Sequence, residues 1–139
     1  MDKKVLWVED DYYHIQFLFQ HLAKEGMTVT PALSAFDAYQ AIEHGAKFDL
    51  MIVDIILPIS STLEKLPTAM AKWEDEKYPG VALIKWLKTE KKVKCPVVIL
   101  SVIDEPISEF GLQDLEISDS IHKKRLGPSA FAERILKLL

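Results

Sequence analysis

The stretch Asp49–Ile59 reads DLMIVDIILPI. One carboxylate, Asp54, stands in the middle of a strongly apolar run. An ionised carboxylate isolated in a low-dielectric core is costly, so such groups are neutralised, paired or bound to a cation. Geometry offers a way out: if a strand ends at Asp54, the side chain emerges at the rim of a sheet. The apolar residues before it then suit a central parallel strand covered on both faces.

Outward from this strand, Phe48–Val53, short apolar runs alternate with helical patterns in both directions. Upstream lie Lys4–Val8 and a weaker run, Met27–Pro31. Between these two, Ile15, Leu18, Phe19 and Leu22 fall at i, i+3, i+4 and i+7, and Gly26 suits the end of that helix. Ser34 can cap a helix carrying Ala38, Ala41 and Ile42 that ends near Gly45. Downstream, Val81–Lys88 reads as a helix and Val97–Leu100 as a buried strand. A short helix falls within Pro106–Leu115, followed by an edge-like strand, Ser118–His122. Pro128 fits the first turn of a closing helix through Phe131, Ile135 and Leu138. The β-α unit thus repeats five times. The predicted fold is α/β: a doubly wound, five-stranded parallel sheet of order 2-1-3-4-5 with helices on both faces.

The chain has 139 residues, 49% hydrophobic and 27% charged, with a net charge of −4. These values suit one domain, residues 1–139, with a single core. They argue against direct nucleic-acid binding, which needs a concentrated basic face; Lys123, Lys124 and Arg125 read as a solvated turn. Cys95 is alone and cannot form an internal disulfide, in keeping with a reducing, cytoplasmic setting. The longest apolar runs are about ten residues, half of what a bilayer requires, so no membrane insertion is expected. No signal peptide is visible.

One segment breaks the repeat. Most βα loops run about two to six residues, yet the connection from the third strand to the next helix runs from Pro58 to Gly80, an insertion over about 59–79. Within it Leu63, Leu66, Met70 and Trp73 recur at three and four residues, which predicts an extra helix. Pro67 would lie in its first turn and Pro79–Gly80 would end it. The stripe reads as packing against the domain or as a partner-docking surface.

Ligands of open parallel sheets bind beyond the carboxyl ends of the strands. The first strand ends in VLWVEDD and lies beside the third in the predicted order, so Glu9, Asp10 and Asp54 should converge. Carboxylates so close repel unless a cation joins them, and oxygen ligands with water suit Mg²⁺. The backbone carbonyl of Ile56 can add a neutral ligand. Asp11 is expected to begin the first helix and point elsewhere. The fourth strand, CPVVILS, brings the Ser101 hydroxyl to the same rim, and DSIHKK brings a lysine. Together these groups suit a phosphoryl group. Other candidates are weaker. His14, His21, His44 and His122 are scattered, Ser60, Ser61 and Thr62 read as a polar turn, and no glycine-rich phosphate loop is present.

The stretches VLWVEDD, FDLMIVDIILP, CPVVILS and HKK resemble the receiver domain of two-component response regulators, of flavodoxin-like, chemotaxis-type fold. Asp10 to Asp54 spans 44 residues and Ser101 to Lys123 spans 22, both typical of that family, and Pro58 also matches. Apart from the insertion, the resemblance covers the whole chain. It implies that Asp54 is the phospho-acceptor, forming an acyl phosphate with a phosphohistidine of a sensor histidine kinase or phosphotransfer protein. Glu9, Asp10, Asp54 and the Ile56 carbonyl would hold Mg²⁺. Ser101 would turn to the phosphoryl group, and Lys123, favoured over Lys124 by spacing, would pair with it or with Asp54. The chain would then be no enzyme beyond self-phosphorylation and self-dephosphorylation. It would switch a surface made by the fourth helix and fifth strand for a downstream protein target or a phosphorylation-dependent homodimer.

Three features depart from the family pattern. Lys124 stands where the family has a proline after the lysine, often through a cis peptide; a cis bond to a non-proline costs about 3–4 kcal/mol, so a trans bond or a rearranged loop is expected. Ser120 stands where an aromatic often couples to the serine. Ile56 and Ile103 stand where the family borders the attacking water, and isoleucine offers it no hydrogen bond, so slow loss of the phosphoryl group is expected. One competing reading is a pseudo-receiver that signals by protein contacts without phosphorylation. Another is a small phosphatase with an aspartyl nucleophile, which usually carries a second acid where Ile56 stands.

Overall fold

The structure, a computed structural model, describes residues 2–60, 62 and 65–139. Ser61, Leu63 and the side chain of His14, named above, lie outside that description. Five strands form one parallel sheet of order β2-β1-β3-β4-β5: β1 Lys3–Val8, β2 Met27–Ala32, β3 Leu50–Asp54, β4 Val97–Ser101 and β5 Asp119–His122. Five α-helices intervene and close the chain: α1 Tyr12–Lys24, α2 Ala35–Glu43, α3 Pro79–Thr89, α4 Pro106–Glu109 and α5 Pro128–Leu136. The predicted fold class and strand order are those observed.

Side chains alternate across the central strands, and each face has its own core. Leu6, Val8, Met51, Val53, Val97 and Ile99 pack under α2 and α3 with Ile42, Leu83, Ile84 and Leu87. Val5, Trp7, Leu50, Ile52, Val98 and Leu100 pack under α1 and α5 with Phe19, Leu22, Phe131 and Ile135. Every residue of β3 and β4 is buried, which is why these strands show no polar alternation. Pro31 is tolerated because β2 is an edge strand.

Local signals set the element ends. Gly26 follows α1 with a φ of +88°, a conformation glycine adopts without strain. The Ser34 Oγ accepts a hydrogen bond from the Asp37 N–H at 3.1 Å and caps α2. The first two donors of that helix, Ala35 N–H and Phe36 N–H, are taken by the carbonyls of Pro58 and Ile59, so the start of the insertion is tied to α2.

The insertion differs from expectation. A six-residue 3-10 helix, Thr68–Trp73, replaces the extended helix, and Pro67 precedes it. Met70 is fully buried against the α3 side of the core. Pro79–Gly80 does not end this helix but opens α3. A proline at the first helical position loses no hydrogen bond and has its φ preset, so the pair starts a helix as readily as it stops one. The α4 helix is one turn long, and Gly111, with a φ of +67°, follows it closely. The expected switch surface of a fourth helix and fifth strand is therefore mostly loop on its helical side.

Candidate functional site

The sheet register brings the strand ends together. Val8 pairs with Val53, Asp54 with Leu100 and Ser101 with His122. Residues that follow these pairs, Glu9 and Lys123, therefore fall at the same rim as Asp54. Backbone hydrogen bonds hold them: Glu9 N–H donates to the Ala32 carbonyl at 2.9 Å and Lys123 N–H to the Ser101 carbonyl at 2.8 Å.

Carboxylate oxygens of Glu9, Asp10 and Asp54 lie within 4.8 Å of one another. Glu9 and Asp54 are each only 2% exposed, while Asp10 is open to solvent. The Lys123 ammonium donates to Glu9 Oε1 at 2.5 Å and to Asp54 Oδ2 at 2.6 Å. Asp54 Oδ1 accepts from the Ile56 N–H at 3.1 Å, so the turn after β3 fixes the carboxylate from the other side. One lysine faces three acids, and the cluster carries excess negative charge.

Burial, then the hydrogen bond and repulsion of Asp54, push the Glu9 carboxyl up to about 9 despite the opposing pull of Lys123. Ionised, Glu9 leaves its Oε2 buried with no hydrogen-bond partner; protonated, it can share that hydrogen with Asp54. Burial works against the Lys123 ammonium, but its hydrogen bonds to Asp54 and Glu9 outweigh that and raise its pKa. An orphaned buried carboxylate oxygen beside two other oxygen donors, one of them open to water, fits a hard divalent cation such as Mg²⁺.

Asp10, Asp11, Asp54, Ile56, Val102 and Lys123 line an open cleft of about 350 Å³ at this rim. Asp11 occupies the N-cap position of α1 as expected, but it lines the cleft instead of pointing elsewhere. Ile56, 41% exposed, borders the cleft as the sequence suggested. Ile103 does not; it packs against the core, and Val102 takes the place on the cleft wall. Ser101 is buried at the end of β4, and its Oγ accepts from the Ile103 N–H at 2.8 Å. Its hydroxyl is thus held by its own loop. Lys124 lies on a neighbouring cavity with Phe17 and Val102, and of the two lysines Lys123 contacts the carboxylates. No cis peptide occurs among the described residues, so the bond between Lys123 and Lys124 is trans. Ser120 remains half-buried in β5.

Two features at this rim were not legible in the sequence. Val102 carried no signal beyond following Ser101. Gly80 approaches the strand that carries Asp54 closely: a Cβ built on it would lie 2.2 Å from the Asp54 carbonyl oxygen and 2.5 Å from that of Ile55.

No protein-family profile and no curated protein matches this sequence. Solved structures do. A CheY-like response regulator receiver domain from Methanospirillum hungatei superposes with a TM-score of 0.73 at 22% identity, covering 99% of this chain and 93% of that one. The response regulator TrrA of Thermotoga maritima, solved with Mg²⁺ and BeF, gives 0.70 at 20% identity and 99% coverage of both. A Francisella response regulator receiver domain gives 0.72 at 22% identity, covering 98% and 95%. The chain therefore has the fold of response regulator receiver domains over nearly its whole length. Among the described residues no helix is long and apolar enough to cross a membrane.

Proposed function

We propose that this protein is a phosphoryl-accepting signalling module. The observation that carries the reading is the convergence of Glu9, Asp10 and Asp54 within 4.8 Å, with the Lys123 ammonium on two of them, at the carboxyl rim of the sheet. An Asp54 oxygen attacks the phosphorus of a phosphohistidine on a sensor kinase or phosphotransfer protein. The O–P bond forms, the P–N bond breaks, and the imidazole leaves with the electron pair and takes up a proton. Glu9, Asp10, Asp54 and the Ile56 carbonyl hold Mg²⁺, which supplies positive charge to the phosphoryl oxygens when bound. Lys123 pairs with the same oxygens. The Ser101 hydroxyl keeps its hydrogen free while accepting from Ile103 N–H, and it donates that hydrogen to the new phosphoryl group. Hydrocarbon from Ile56 and Val102 on the cleft wall gives an attacking water nothing to orient it, so the acyl phosphate is long-lived. The module is not an enzyme acting on a separate substrate; it works in the cytoplasm by changing its affinity for a downstream protein or a second copy of itself.

A second reading rests on two observations: α4 is a single turn, and Ser120 stands where an aromatic would couple to Ser101. They favour a pseudo-receiver that works through protein contacts alone. Incubation with Mg²⁺ and acetyl phosphate, followed by intact-protein mass measurement, separates the two. We expect a phosphoryl adduct on the natural sequence and none on Asp54→Asn. A chain that stays unlabelled, with Mg²⁺ in excess, sinks the leading reading in favour of the pseudo-receiver.

A further inference from the structure

Beyond its side-chain packing, the strand that carries Asp54 meets the backbone of a helix start at its end. The Gly80 Cα approaches so closely that an added Cβ would meet the Asp54 carbonyl oxygen at 2.2 Å, the Ile55 oxygen at 2.5 Å and the Ile55 carbonyl carbon at 2.8 Å. All three are backbone atoms and cannot swing aside. Gly80 lies in the first turn of α3, directly after Pro79, whose ring fixes φ. Before that turn, the Tyr78 ring packs edge-on against Phe110, with centroids 5.6 Å apart and planes at 83°. Phe110 caps the end of α4, in the segment between β4 and β5. The first turn of α3 is therefore held between the backbone of the acceptor strand and the segment downstream of the serine.

The Asp54–Ile55 peptide also leads from the acceptor directly into the turn that holds its carboxylate. Ile55 is fully buried, and the following N–H, of Ile56, donates to Asp54 Oδ1 at 3.1 Å. A displacement of the Asp54 carbonyl therefore changes the turn that fixes the carboxylate and its 2.6 Å contact with Lys123. Because the inserted segment enters α3 through this turn, its far end is joined to the acceptor by contact as well as by sequence.

We propose that Gly80 is a positioning residue: the first turn of α3 acts as a backstop that sets the orientation of the Asp54 carboxylate. This rests on the phosphoryl-accepting reading above. It assigns to a glycine in the helix after the insertion a part in the transfer reaction that none of the rim residues performs.

The test measures the labelling rate with acetyl phosphate and Mg²⁺, per folded molecule, for the natural sequence, Gly80→Ala, Tyr78→Ala and Leu87→Ala. Leu87 is fully buried in the same helix, so its truncation reports lost stability alone. We expect Gly80→Ala to label at least about tenfold more slowly, a barrier increase of about 1.4 kcal/mol, while Leu87→Ala keeps the natural rate. Tyr78→Ala, which leaves the glycine and its space intact, should label several-fold more slowly and decides the matter if Gly80→Ala does not fold. Natural rates in a folded Gly80→Ala, or in Tyr78→Ala where the first does not fold, overturn the inference alone. Failure of the natural sequence to label overturns it together with the reading on which it rests.

Discussion

Glu9 carries the sharpest residue-scale consequence. Its carboxyl is displaced from an ordinary value of 4.5 to about 9, first by burial and then by Asp54. An acid whose folded value is raised stabilises the fold below its unfolded value and loses that contribution as pH climbs towards the folded one. In chelator, the protein should therefore lose stability between about pH 4.5 and pH 9 as the site is forced to give up its proton. Glu9→Gln keeps the size and hydrogen-bonding capacity of the protonated form and has nothing to titrate. Its Tm should fall less steeply over that window, so the gap between the two proteins widens in favour of the variant as pH rises. Parallel Tm curves in EDTA would show that Glu9 is ionised in the folded chain. Sequence alone marked Glu9 as one acid among three at a strand end. Its depth, and the orphaned Oε2 that comes with depth, are set by how α1 and the β5 turn close over the rim, which no local pattern encodes.

At the scale of elements, the inserted segment between β3 and α3 separates what periodicity can and cannot tell. Leu66, Met70 and Trp73 were correctly apolar and inward: Met70 is fully buried and the other two pack partly against the same core. The spacing could not choose between an α-helix and the short 3-10 helix observed, since i and i+3 repeats serve both. As a sequence Pro79–Gly80 reads as a stop, because proline and glycine punctuate chains, yet in the fold the pair begins α3. The decisive contact, with the Asp54 carbonyl, is made across 26 residues of sequence. Ion pairs Lys72–Glu90 and Lys85–Glu76 also join the segment to α3, but partly exposed pairs contribute little, so the anchor is apolar. Met70→Ala should destabilise the fold by about 2–5 kcal/mol, while the labelling rate per folded molecule stays unchanged, because Met70 is buried in the α3-side core and is not among the groups that bond the rim carboxylates. Urea denaturation measures the first quantity. A loss below about 1 kcal/mol would mean that the core closes without this residue and that the segment is only loosely applied to α3.

For the whole molecule, the order β2-β1-β3-β4-β5 was legible because it follows from a few strong constraints. Continuous apolarity in Leu50–Val53 and Val97–Leu100 demands cover on both faces, and right-handed crossovers then leave few topologies. The same order places β1 beside β3, which is why acids 44 residues apart in sequence could be expected at one rim. What the order does not fix is the length of α4 or the direction of the Ser101 hydroxyl, since both depend on the loop that follows β4. The convergence of the acids has a thermodynamic consequence that belongs to no single element. In the unfolded chain Glu9 and Asp10 are separated from Asp54 by a long, flexible span and offer a cation only isolated carboxylates. In the folded chain the three act as one donor set. A ligand that binds only the folded form stabilises it by about 2.7 kcal/mol when present at about a hundred times its dissociation constant. For a chain of this size that corresponds to a rise of roughly 5–10 °C in Tm. Saturating Mg²⁺ at constant ionic strength should produce that rise relative to EDTA. Asp10→Asn removes the exposed donor without disturbing the buried Glu9–Lys123–Asp54 contacts, so it should abolish most of the rise and leave the Tm in EDTA nearly unchanged. An equal response in the variant would show that Mg²⁺ acts on the general surface charge of an acidic protein. No response in either would mean that Lys123 already satisfies the acids and that a divalent ion has no place among them.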